Sequence, residues 1–154
     1  MIFGKSGINL MVFHKVIQFY GNSDCDIFHC QFGPNGLIAA WLKELSLIKG
    51  KIITTFHGYD AHFDDPNFRR TYHGSSIRTW SPLVFKHSDL ITVNTPYLLE
   101  QIVELGADPN RVEILPMGVD TSLFLPKKHP PRKESIQILS VGNLIKLKGH
   151  ELGI

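Results

Sequence analysis

Short apolar runs alternate with segments of helical periodicity along most of the chain. Residues 26–32 (DIFHCQF) form the first apolar run and end at a Gly-Pro-Asn-Gly cluster, which predicts a strand followed by a turn. From Leu37 to Ile48 apolar residues recur every three or four positions, which predicts an amphipathic helix closed by Gly50. The β-branched run Lys51–Phe56 predicts the next strand. Because two short strands joined through a helix pair in parallel, this segment of the chain indicates a β-α-β unit.

The same alternation continues in the second half of the chain. The stretch from Asp60 to Ser76 is polar and aromatic-rich without either periodicity, so we interpret it as a long loop. Two further helices, each opening on a Ser-Pro or Thr-Pro pair, and two further strands follow. Their expected bounds are helices from Ser81 to His87 and from Tyr97 to Leu105, and strands at Leu90–Val93 and Val112–Leu115. The pattern predicts the α/β class, with an open parallel sheet.

A change of composition near residue 125 predicts a domain boundary. Residues 125–135 (LPKKHPPRKES) are rich in proline and basic side chains and lack apolar periodicity, as in a stiff interdomain linker. The chain therefore divides into a first domain at 1–124, this linker, and the start of a second domain at 136–154 that opens on a strand at Ile136–Val141. The basic residues of the linker leave a second interpretation open, which is contact with anionic lipid headgroups.

Composition narrows the possible partners. Hydrophobic residues make up 43% of the chain and the formal net charge is only +2, which favours a globular fold and no nucleic-acid partner. Cys25 and Cys30 are expected to be free thiols. A zinc site with His29 is disfavoured, because strand alternation places His29 and Cys30 on opposite faces. No apolar run approaches a membrane span, and the start of the chain lacks the features of a signal peptide.

Two glycine-containing turns follow strands and are candidate anion sites. Gly33, Asn35 and Gly36 lie between a strand end and a helix start, where backbone amides favour a phosphate or sugar hydroxyls. Gly142 and Lys148 frame a similar turn after the last predicted strand, which suits a diphosphate. Ordinary turn chemistry is the favoured alternative for the first segment, and it remains an alternative for the second because glycine-rich turns after strands are common.

The segment His57-Gly58-Tyr59-Asp60 is a third candidate at a strand end. The His57 imidazole could donate to a sugar hydroxyl or a phosphate oxygen, and the Asp60 carboxylate could bind hydroxyl groups. The alternative is a turn without direct function.

The chain resembles glycosyltransferase family 4, of GT-B fold, in the order and spacing of four segments. These are DIFHCQFGPNG, KIITTFHGYD, DLITVNTPYLLEQIVELGADPNRVEILPMGVDTSLF and ILSVGNLIKLKGHE. The likeness is nearest to enzymes of colanic-acid-like exopolysaccharide or lipopolysaccharide biosynthesis. It implies a Rossmann-like acceptor-side domain and the first strand of a second such domain. It also implies retaining transfer of a hexose from a UDP- or GDP-sugar to a lipid-linked saccharide, without metal or cofactor. We expect a cytoplasmic protein, free or peripheral at the inner face of the cytoplasmic membrane.

The resemblance also assigns roles to individual residues. It implies that His57 approaches the donor sugar and the departing phosphate, and that Gly58 lets the backbone come close. Asp120 matches the segment that leads into the domain crossing, and Lys148 matches a lysine that binds the donor diphosphate. Asn143 completes the expected diphosphate site beside Gly142.

The chain departs from the family pattern at several points. Asn143 stands where an arginine is usual and Gln31 where many relatives have a second histidine. The chain also ends before the family's paired-glutamate segment and lacks its glycine-rich first loop. We therefore expect an incomplete and inactive chain. The alternatives are a non-catalytic saccharide- or partner-binding module and, last, a nucleotide-binding protein of epimerase type.

Overall fold

The computed structural model describes residues 24–61, 76–125 and 138–153, together with single helical positions at 14 and 17. In the first two of these segments the regular elements are strands β1 (Ile27–Gln31), β2 (Lys51–Phe56), β3 (Leu90–Val93) and β4 (Val112–Ile114), and helices α1 (Gly33–Glu44), α2 (Ile77–His87) and α3 (Pro96–Glu104). A short 3-10 turn at Pro109–Arg111 precedes β4.

All four strands pair in parallel, and their order in the sheet is their order in the sequence, β1-β2-β3-β4. The register aligns Cys30 with Thr54, Thr54 with Ile91, and Ile91 with Val112. These observations confirm the α/β class and the Rossmann-like parallel sheet.

The helices pack against one face of the sheet. On that face Phe56, Ile91 and Val93 are completely buried and share a core cluster with residues from all three helices. The helical members of that cluster include Leu37, Trp41, Trp80, Val84, Phe85, Leu98 and Ile102. The alternate residues of the strands, which include His29, Thr55 and Thr92, lie on the other face. The core therefore lies between the helices and one apolar face of the sheet, and the opposite face is more polar.

Helix α1 begins and ends earlier than predicted. It starts at Gly33 rather than Leu37, because Phe32 makes the turn itself with a φ of 71° and Pro34 suits a first helical turn. It ends at Glu44 rather than near Gly50. Ser46 adopts a left-handed φ of 58°, and the Leu47 amide donates to Leu42 O over 2.9 Å, as in a Schellman motif.

Helix α2 also begins earlier than predicted. It starts after Ser76, so Pro82 lies inside the helix and not at its first position. The buried residues Ile77, Trp80 and Val84 continue one helical stripe across the proline, and their burial outweighs the missing amide. None of the helices in the described segments is long and apolar enough to cross a bilayer.

Helix α3 and the strands agree closely with prediction. Thr95 caps α3 by accepting a hydrogen bond from the Leu98 amide over 3.2 Å, and Pro96 takes the first helical position. Strand β3 has the predicted bounds. Strand β4 ends at Ile114, although the Leu115 amide still donates to Val93 O over 2.7 Å.

The chain divides into two compact units, residues 1–118 and 119–154. In the second unit the described residues form 3-10 turns at Lys146–Lys148 and His150–Leu152. The strand predicted at 136–141 is wrong for residues 138–141, which are exposed and lie outside any sheet. None of the residues that the structure describes pairs with this segment in a ladder, and an unpaired strand is not stable in water. The linker predicted at 125–135 lies outside the described residues except for Leu125, so the domain boundaries stay a prediction.

Candidate functional site

The two candidate segments at the carboxyl ends of β1 and β2 are joined by Asp60. Its buried carboxylate accepts from the Gly33 amide over 2.7 Å through one oxygen. The other oxygen accepts from the amides of His57 and Gly58 over 2.9 and 3.1 Å. We call this arrangement the Asp60 latch. It means that the anion at the start of α1 is supplied by the protein itself. Direct binding of substrate by Asp60 stays a prediction.

Gly33 and Gly36 serve close packing between α1 and the sheet. A Cβ atom on Gly33 would lie 2.5 Å from the Phe56 ring, and one on Gly36 would lie 2.7 Å from the Thr54 side chain. Asn35 is exposed, and its side-chain amide donates to Gln31 O over 2.6 Å. Saccharide or phosphate binding by these three predicted residues is untested, but the packing alone accounts for both glycines.

His57 is half-buried at the carboxyl edge of the sheet, with its ring held on two sides. Its Nε2 lies 2.7 Å from Gln31 Oε1, a hydrogen bond that requires the tautomer with a proton on Nε2. The ring centroid lies 4.6 Å from that of Phe32. Gly58 follows with a φ of 110°, a conformation that favours glycine. The backbone and ring of His57 are therefore both positioned.

A row of polar side chains crosses three strands on the face opposite the helices. Beyond His57, Gln31 Nε2 lies 3.1 Å from His29 Nε2, which is 2.8 Å from the Thr55 hydroxyl. Thr55 in turn lies 2.6 Å from the Thr92 hydroxyl, and both threonines are buried. Period-two alternation placed His29 and Gln31 on one face, but a single sequence does not reveal the register that brings Thr55 and Thr92 beside them. This network connects the candidate catalytic histidine to the interior of the sheet.

Phe32 was missed by sequence reasoning. It has φ 71° and ψ 140°, which costs a non-glycine residue about 1–3 kcal/mol. The residue is 40% exposed, and its ring makes an edge contact with Tyr59 at a centroid distance of 6.4 Å. An apolar run followed by a turn cluster gave no signal that the strained residue would be the phenylalanine.

Asp120 caps a tight turn in the second unit. Its Oδ1 accepts from the Ser122 amide over 2.8 Å and from the Ser122 hydroxyl over 2.6 Å. These hydrogen bonds hold the pKa of the Asp120 carboxyl below its usual value. The carboxylate is exposed, and its predicted role in substrate binding is untested.

The predicted diphosphate residues share one loop of the second unit. His150 Nε2 lies 3.2 Å from Asn143 O, and a Cβ on Gly142 would meet both the His150 ring and Lys148 Cγ within 3.5 Å. Lys148 is exposed and is followed by Gly149 in the left-handed conformation. The structure therefore brings Gly142, Asn143 and Lys148 together, with His150 as an organising residue that the sequence had not singled out.

The cysteines behave as free thiols. Cys25 is exposed, and burial raises the pKa of Cys30 to about 11. Cys30 packs against a buried cluster that includes Ile38 and Leu42 of α1. His29 lies on the opposite face of the strand and contacts the Thr55 hydroxyl, as strand alternation predicted. The described segments of the chain contain no group of three or more His, Cys, Asp or Glu residues able to hold a metal ion.

Comparison with known proteins identifies the family to which this architecture belongs. Residues 2–123 match the model of the family described as Glycosyltransferase Family 4. The chain is 30% identical over 129 residues to a putative colanic acid biosynthesis glycosyltransferase, WcaL, of Escherichia coli K12, covering 84% of this chain and 30% of the relative. It is 26% identical over 152 residues to the Salmonella typhimurium protein of the same name, covering 99% and 36%.

An amylovoran biosynthesis glycosyltransferase, AmsK, of Erwinia amylovora is 27% identical over 124 residues, covering 80% of this chain and 29% of that protein. The chain thus spans about a third of the length of these relatives. The matches confirm the resemblance seen in the sequence.

Proposed function

Because this chain belongs to glycosyltransferase family 4, we propose that its protein is a retaining glycosyltransferase of exopolysaccharide or lipopolysaccharide biosynthesis, in which residues 1–154 alone have negligible activity. It moves a hexose from a UDP- or GDP-sugar to a lipid-linked saccharide. The relatives named for colanic acid and amylovoran biosynthesis support this direction.

One observation carries the proposal, which is the placement of His57. The Asp60 latch fixes its backbone amide, and the contacts with Gln31 and Phe32 fix its ring at the carboxyl edge of a parallel sheet. In open α/β sheets ligands bind at this edge. An imidazole N–H held there can exchange its amide partner for a sugar hydroxyl or a phosphate oxygen of the donor.

The loop of the second unit supports a donor diphosphate site. The Lys148 ammonium supplies one positive charge, and the Gly142 and Asn143 backbone supplies a close approach for the phosphates. This charge would stabilise the leaving nucleoside diphosphate without a metal. Asn143 contributes no charge where an arginine is usual in the family, so the proposed site depends on Lys148 without that second cation.

We place the protein in the cytoplasm, with its lipid-linked acceptor reached by peripheral contact at the inner face of the membrane. The basic residues between positions 125 and 135 suit the headgroups of anionic lipids.

Transfer from radiolabelled UDP- and GDP-hexoses to lipid-linked saccharides, with the anomeric configuration of the product read by NMR, tests this function. We expect negligible transfer by residues 1–154 alone. In a protein that carries them at the full length of the relatives, we expect transfer with retention and a loss of at least about 100-fold in His57→Ala, consistent with removal of one positioned hydrogen-bond donor. His87→Ala is the matched control, since His87 pairs with Glu44 away from the site. A folded full-length protein that transfers no hexose from either class of donor would refute the proposed activity, and family-like rates from residues 1–154 alone would refute their expected inactivity. Saccharide binding without transfer would favour a non-catalytic module.

A further inference from the structure

We propose that Phe32, with Gln31 and His57 at its rim, forms a platform for the apolar face of a pyranose ring. The inference rests on the proposed function and adds to it the residues that recognise the sugar. The family resemblance itself assigns no role to Phe32.

The backbone of Phe32 is fixed in its strained conformation from both sides. Its amide donates to Thr55 O over 2.8 Å, which continues the ladder between β1 and β2. Its carbonyl accepts from the amides of Asn35 and Gly36 over 3.0 and 3.3 Å, which opens helix α1. Glycine would occupy this φ without strain, so the turn itself gives no reason for a phenylalanine here. Strained non-glycine residues held in this way cluster at binding sites.

Phe32 is exposed at the surface and is not part of the buried core. Phe32 is 40% exposed and the neighbouring Tyr59 is 47% exposed. The Phe32 ring lies 4.6 Å from the His57 ring at 48°, and 6.4 Å from the Tyr59 ring at 72°. The three rings therefore form one aromatic surface at the carboxyl edge of the sheet, where ligands of open α/β sheets bind.

Hydrogen-bonding groups stand at the rim of this surface. Gln31 offers an amide oxygen and an amide nitrogen, and His57 offers its ring nitrogens, while neither Phe32 nor Gln31 carries charge. A pyranose matches this arrangement, since its axial C–H bonds form an apolar face and its equatorial hydroxyls project from the edge. A small set of polar groups around an aromatic wall is the usual composition of a small-molecule site. A free phosphate is a poor match, because it has no apolar face.

The sugar could come from the acceptor or from the donor, and two probes separate these sources. Methyl β-D-galactopyranoside represents an acceptor residue, and UDP-galactose, with UDP alone as reference, represents the donor. Binding to the full chain is measured by saturation-transfer NMR and by amide chemical shifts. We expect saturation of the axial sugar protons, shifts at Phe32 and His57, and about tenfold weaker binding of the sugar in Phe32→Gly, in line with the loss of one aromatic contact.

Phe32→Gly removes the ring while glycine accepts the positive φ, so the variant keeps the turn. Phe32→Trp should retain or improve binding, because it keeps a ring at the same place. Ile27→Ala is the matched control, because Ile27 is an exposed apolar residue at the opposite end of β1. It should bind within about twofold of the original protein.

Weaker binding of only one probe in Phe32→Gly identifies the source of the sugar. If both probes bind Phe32→Gly as tightly as the original protein, the platform is overturned while the glycosyltransferase function is left intact. If neither probe binds the original protein, the platform is likewise refuted. Failure of hexose transfer in the separate assay bears on the proposed function alone.

Discussion

Replacing Asp60 with asparagine should break the latch between β2 and α1 while preserving the shape of the side chain. The asparagine oxygen can keep the bonds from His57 and Gly58, but its NH₂ group then faces the Gly33 amide, now 2.7 Å from a carboxylate oxygen. A charge-assisted bond of this kind contributes about 1.5–3 kcal/mol. Loss of the anion at the start of α1 adds about 0.3–1 kcal/mol. We expect Asp60→Asn to lower the free energy of unfolding by about 3 kcal/mol.

Urea denaturation and thermal unfolding measure this change, and for a chain of this size it corresponds to a fall in Tm of about 6–12 °C. Asp108→Asn is the matched control, because Asp108 is an exposed aspartate that accepts from the Asn110 amide over 3.0 Å. Asparagine caps as well as aspartate, so that variant should lose less than about 1 kcal/mol. If the two variants lose the same stability within about 0.5 kcal/mol, the reasoning about a buried anion at the helix start is wrong.

Three further predictions concern packing, charge and thiol reactivity. Gly36→Ala would stabilise an ordinary helix, but here the new Cβ lies 2.7 Å from Thr54, so denaturation should show a loss of about 1–3 kcal/mol, and a more stable variant would contradict the packing. The pKa of Glu44 is lowered by hydrogen bonds from two basic residues of α2, so its contribution to stability is present above its usual value of 4.5 and is lost as the pH falls through the lowered pKa. Unfolding curves of Glu44→Gln and the original protein should therefore differ at neutral pH and converge in acid; a constant difference would exclude the ion pair as the cause. Because burial raises the pKa of Cys30 from 9.0 to about 11, its alkylation at pH 8, followed by mass spectrometry, should be about 100-fold slower than for an unperturbed thiol, with exposed Cys25 as internal reference.

Between residues 24 and 125 the sequence predicted the strands better than the helix ends, whereas the strand predicted at 136–141 was wrong for residues 138–141. Strand bounds follow from short apolar and β-branched runs that end at turn residues, and β2 and β3 have the predicted limits. Helix starts depend on backbone conformations that no residue type announces. Phe32 takes a positive φ where glycine would be expected, and Pro82 sits within a helix because burial of the surrounding stripe outweighs its missing amide.

The candidate site was predicted in its position and only partly in its contacts. His57 and Asp60 stand at the carboxyl end of a strand, which the pattern alone indicates. Their partners depend on sheet register and on side chains distant in sequence, such as Gln31 and the Gly33 amide, 26 and 27 residues away. Period-two alternation selects a face but not which residues of the next strand lie opposite, so the polar row was not predictable from one chain.

The order of strands in the sheet has a consequence for how the domain can assemble during synthesis. Each strand from β2 onward finds a ladder partner in the strand made immediately before it. A polypeptide that emerges from the ribosome can therefore add one β-α step at a time to its folded region. No strand has to stay unpaired until a distant segment has been translated. Chains that form only local contacts at each step expose unpaired strand edges for a short time. This topology therefore suits folding during synthesis on the ribosome.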